Sequence, residues 1–97
     1  MRSLRFLFVL ATALVATVGA AHAKCYADYK AKRGAPMQLH YGIIELPQNL
    51  CDVEAARPYI SDRIGADGWE LLSVVSVFDE AGLKEREESA GPFTLRY

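Results

Sequence analysis

The chain has 97 residues, a formal net charge of −1 and a hydrophobic content of 52%, enough for one small domain. All twelve acidic residues but only nine of the eleven basic ones follow Ala23, so the chain from Lys24 onward carries −3. That balance excludes the basic footprint of a nucleic-acid binder and a polybasic membrane patch.

Residues 1–23 read MRSLRFLFVLATALVATVGAAHA, the pattern of a cleaved secretory signal. Arg2 and Arg5 supply the positive start, Phe6 to Val18 the apolar run, and Ala21-His22-Ala23 a small-x-small cleavage site before Lys24. The run is shorter than the roughly 20 residues of a spanning helix, so no stable membrane anchor is expected after cleavage. Lys24 stands before Cys25 where a lipoprotein needs a small residue. Gly19 and Ala21 make an alternative cleavage pair. The expected location is periplasmic or secreted.

Export changes the meaning of the two cysteines. Cys25 and Cys51 are the whole cysteine content, and an even number in an exported chain implies a disulfide. They lack the close spacing of a C-x-x-C redox pair. A structural bond is therefore the expectation.

Lys24 to Pro36 is polar and ends in Gly34-Ala35-Pro36, which reads as an N-terminal arm tied down at Cys25. Residues 37–97 then form a small α+β domain. Met37 to Leu46 alternates apolar and polar residues at period two, a strand signature ended by Pro47. Within Gln48 to Gly68, Val53, Ala56, Ile60 and Ile64 fall on one helical face. Asn49 or Asp52 can cap that helix. Pro58 either kinks it or restarts it, and Gly68 suits its left-handed end. Trp69 to Phe78 is rich in β-branched and aromatic residues and apolar on both faces, as in a strand covered on both sides. Asp79 to Pro92 reads as a charged hairpin connection, and Phe93 to Tyr97 as a short final strand. The expectation is strand-helix-strand-strand, with one helix on a three-stranded sheet and the last two strands paired.

The stretch Gly68-Trp69-Glu70-Leu71-Leu72-Ser73-Val74, at the end of an amphipathic helix, resembles a family of small bacterial domains of unknown function. Their recurrent core is a helix followed by Gly-Trp-Glu-Leu-Val-Ser-Val. Gly68, Trp69, Glu70, Leu71, Ser73 and Val74 match it, and Leu72 stands where Val is common. The resemblance implies the same compact unit over Met37 to Tyr97 and no activity. The matched residues also have physical roles of their own. Gly68 stops the helix, and Trp69 buries a large area where helix meets sheet. Glu70 lies on the opposite strand face, within reach of Arg57, Arg63 or Arg96.

Chemistry is sparse. His40 is the one histidine after Ala23, so any triad must use it, and no serine sits in a G-x-S-x-G elbow. One histidine and two paired cysteines cannot close a zinc site, and the acids of 79–88 lack calcium-loop spacing. No catalytic, metal or cofactor site is assigned, and no cofactor is expected. The leading expectation is a non-enzymatic interaction module. It binds an unknown protein partner or forms a homodimer through a sheet face that the helix leaves free. Two alternatives stand beside it: a small periplasmic enzyme, or subunit of one, using His40 with an acid, and an inhibitor or ligand-binding protein with Tyr26, Tyr29 and Tyr41 lining a groove.

Overall fold

A computed structural model describes residues 23–97; the expected signal segment, apart from Ala23, lies outside the described residues. Elements follow in the order β1 (Cys25–Arg33), β2 (Gln38–Leu46), a 3-10 turn (Gln48–Leu50), α1 (Val53–Gly65), β3 (Glu70–Phe78), α2 (Glu80–Ala90) and a second 3-10 turn (Gly91–Phe93). The protein is α+β: three antiparallel strands in the order β2-β1-β3, two helices, and a Cys25–Cys51 disulfide.

The expected arm is the central strand. Cys25, Ala27, Tyr29 and Ala31 alternate on one face of β1 and are buried against α1. Lys30, Lys32 and Arg33 give this segment its polar look, but Tyr26 and Asp28, on the other face, are also buried. β1 and β2 form the hairpin, turning through residues 34–37 with Gly34 at φ +75°, a conformation glycine adopts without a Cβ clash. The hairpin expected between the last two strands does not form. Asp79 to Pro92 is largely helical instead, because Glu, Ala, Leu, Lys and Arg favour helix and Asp79 accepts from the amides of Ala81 and Gly82. Phe93 to Tyr97 is not a strand. It makes one parallel bridge, Thr94 to Ile43, and the Leu95 amide donates to the Ile43 carbonyl at 2.9 Å.

α1 starts at Asp52, whose side chain accepts from the Ala55 amide. Its buried residues are Ala56, Ile60 and Ile64, with Val53 packed partly against the same core. Pro58 lies inside one continuous helix, on the exposed side. There the unpaired carbonyl one turn back faces water rather than core. Gly68 at φ +82° turns the chain from α1 into β3.

β3 departs from strict alternation. Its pairing with β1 skips Val75 between Asp28 and Tyr29, and Leu72 between Lys30 and Ala31. These two bulges place Leu71, Val74 and Val77 in the α1-side core at spacings of three, not two. Leu72 and Val75, the extra residues, are left 47% and 49% exposed. The two apolar faces expected of β3 thus reduce to one apolar face and two exposed side chains.

α2 covers part of the opposite sheet face, over Tyr26, Ile43, Tyr41 and Phe78, with Leu83 and Ala90. It is pinned by Asp28, which is 4% exposed. Asp28 accepts from Tyr41 and Ser76 at 2.7 Å each and pairs with Arg86 Nε at 3.3 Å. A buried carboxylate with three donors is satisfied. Burial, followed by the hydrogen bond to Asp28, holds the Tyr41 hydroxyl up at about 12, so Tyr41 remains a donor to Asp28 at neutral pH.

The disulfide closes a sequence separation of 26 residues and ties the start of β1 to the segment before α1. By the chain-entropy model, replacing both cysteines with alanine should lower stability by roughly 3.5 kcal/mol. Urea unfolding of wild type and double variant measures this, and an unchanged midpoint would refute a structural role for the bond.

Candidate functional site

His40 is the residue on which sequence chemistry converges, and it lies on the α1 side of β2, opposite Ala31. Its ring stacks on Phe93 with centroids 3.8 Å apart and planes 5° apart. Trp69 meets it edge-on at 4.2 Å, and Tyr29 lies across it at 5.3 Å. Nε2 is 2.9 Å from the Tyr29 hydroxyl, and Nδ1 has no hydrogen-bond partner. Tyr29 can reach His40 because Gly42 stands between them: a Cβ there would lie 2.6 Å from the Tyr29 oxygen.

The enclosure is closed by the C-terminal segment and by charge. Tyr97 donates to Asp67 at 2.5 Å, and its main-chain carbonyl accepts two hydrogen bonds from Arg63, at 2.8 and 3.1 Å. The hydrogen bond from Tyr97 is the main cause lowering the Asp67 carboxyl, and Arg33 adds to it. Arg33 also lies over the Trp69 ring at 4.2 Å. The chain reaches this position through Leu95 at φ +56°, a left-handed conformation that a leucine holds only when its surroundings impose it.

His40 is therefore a packed ring. It is 8% exposed, and no carboxylate is hydrogen-bonded to either nitrogen among the described residues. Burial, then the nearby Arg33 and Arg96, lowers its pKa. A general base needs a reachable proton and an orienting partner, and the acid expected beside His40 is missing. The tyrosine groove does not form either. Tyr26 and Tyr29 are both buried and belong to cores on opposite sides of the sheet.

The motif residues fall as follows. Trp69 is 6% exposed and joins the main core, and Leu71 packs against it. Glu70 does face away from that core, but pairs with Lys32 at 3.8 Å rather than with Arg57, Arg63 or Arg96. Both side chains of that pair are well exposed, so it stabilises little. Ala23 and Lys24 are exposed ahead of β1. Among the described residues no group of three or more His, Cys, Asp or Glu is placed to hold a metal ion.

What remains open is the sheet surface beyond α2. Leu39 and Leu72 line a depression together with Lys30, Ala31, His40 and Tyr41. Leu39 is 66% and the neighbouring Met37 63% exposed. At its outer edge β3 pairs with no other strand among the described residues. β2, the other outer strand, is covered at Ile43 by Thr94 and Leu95. The sequence carries a signal for this asymmetry only in Leu72 and Val75, two bulky residues too many for a strand of strict period two.

A buried, neutral His40 gives acid a defined effect. Its folded pKa lies below the unfolded value, so the unfolded chain takes up the proton first. Stability is fully present above about pH 6.5 and falls on acidification, by up to about 1.4 kcal/mol per pH unit, until folded His40 itself titrates. Urea midpoints across this range should drop less for His40→Phe than for wild type. Parallel pH profiles would show that His40 is not the group responsible.

No family model, curated protein or solved structure matches this chain. The disulfide fits a non-cytoplasmic location, and no helix among the described residues is long and apolar enough to cross a membrane.

Proposed function

We propose that the chain is exported to the periplasm or secreted, is cleaved after Ala23, and works there as a non-enzymatic module that binds a protein partner. One observation carries this reading. Met37, Leu39, Leu72 and Val75 are 47–66% exposed, on or beside the part of the sheet that α2 leaves open. Scattered apolar residues are ordinary on a surface, whereas Leu39 and Leu72 line one open depression, the pattern of an interaction site. The disulfide supports the export part, since such bonds persist in oxidising compartments. The packed His40 gives the enzymatic alternative no geometry to use. Membership in the family of small bacterial domains resembled by Gly68 to Val74 is part of the same proposal, supported by the structural roles of those residues.

A photo-reactive amino acid in place of Leu39 or Leu72 tests the reading in the exporting cell. Irradiation should give discrete adducts heavier than the monomer at these positions and none at exposed Ser61 on α1. The absence of any adduct at both positions would remove the interaction role.

A further inference from the structure

The two outer strands of the sheet are treated differently. The C-terminal segment shields β2 at Ile43, while the nine residues of β3 have an unfilled edge among the described residues. Folded proteins blunt such edges with lysine, proline, short strands or bulges. β3 has its two bulges, but no proline and no basic residue, and its one charge is Glu70 at one end. The bulges also leave Leu72 and Val75 exposed without a partner on β1.

Read antiparallel against itself about Val74, the strand is self-complementary. Leu71 comes opposite Val77, and both belong to the α1-side core. Leu72 comes opposite Ser76, and Val75 opposite Ser73, so each exposed apolar side chain meets a small one. Glu70 comes opposite Phe78, and the Arg86 guanidinium lies over Phe78 at 4.2 Å. The same register thus turns Glu70 of each copy towards the Arg86 side of the other, where the guanidinium is already paired with Asp28 and Glu85 of its own chain. No like charges face each other, and directly opposed like charges are what destabilise strand pairs.

We infer that β3 pairs antiparallel with β3 of a second copy, about a two-fold axis at Val74, joining two three-stranded sheets into one of six strands. This is strand addition, in which main-chain hydrogen bonds supply affinity and flanking side chains set register. It is isologous and closes at two copies, because each chain contributes the same edge, that of β3, and pairing uses it up. The inference rests on the interaction reading above and assigns the β3 part of that surface, Leu72 and Val75, to a second copy of the chain, leaving Leu39 on β2 outside the contact.

Sedimentation equilibrium of the purified, oxidised protein tests it. The apparent mass should double between low and high micromolar concentration. Leu72→Lys and Val75→Lys, at exposed positions outside the core, should abolish the doubling without changing the thermal midpoint. Leu39→Lys, on β2, should leave the doubling intact. A strict monomer at high micromolar concentration overturns the self-pairing, leaving the photo-crosslinks at Leu39 and Leu72 to decide the broader role. A dimer lost in Leu39→Lys but kept in Val75→Lys also overturns it, in favour of packing face to face.

Discussion

The central position of β1 is the constraint on which the rest of the structure depends. Both its edges are paired, one face lies in the α1-side core, and the other is covered at Tyr26 and Asp28. Ala27 and Ala31, both fully buried, share one core with Ala56, Ile60 and Ile64 of α1. A strand in that place must satisfy any polar group it buries. Asp28 does so with Tyr41 from β2, Ser76 from β3 and Arg86 from α2, so one carboxylate joins four elements. The disulfide fixes the first residue of this strand to the chain just before α1. For so small a domain a covalent staple is worth as much as a large share of the core.

This arrangement explains which parts are legible in the sequence. β2 is readable because Leu39, Tyr41 and Ile43 alternate with polar residues. α1 is readable because its apolar positions recur every three or four residues behind a capping Asp52. The cysteine pairing and the turn at Gly68 follow from residue type alone. β1 reads as an arm because, Tyr29 apart, its α1-side face is made of small residues. Cys25, Ala27, Tyr29 and Ala31 alternate correctly, yet alanine carries little hydrophobic signal beside Lys30, Lys32 and Arg33. α2 reads as a loop because its exposed charges hide a narrow buried side of Gly82, Leu83 and Ala90. There Asp79 as a cap, followed by strong helix formers, is the better guide.

The candidate site is legible only in outline. His40 stands out as the one imidazole after Ala23, but sequence cannot show that Phe93 and Trp69 pack its ring. Those contacts join residues far apart in the chain and depend on the C-terminal segment lying along β2. The exposed surface is predictable in kind and not in detail. The sequence points to a sheet face that its one expected helix leaves free, whereas α2 covers part of it. Exposure is concentrated at Met37 and Leu39 and at the two bulged residues of β3. A bulge cannot be counted from one sequence, because it is defined by the register of the partner strand.

The sheet therefore has a protected centre, one shielded outer strand and one open one, and the open strand carries the functional claim. Residue-resolved amide hydrogen exchange at two protein concentrations tests that claim most directly. β1 amides should be the slowest at either concentration, exchanging only through global opening. The outward-facing amides of β3 should be fast in dilute protein and become protected as concentration rises, while amides of α1 and α2 stay unchanged. β3 amides equally exposed at both concentrations, or protection that rises instead at Met37 and Leu39, would contradict it.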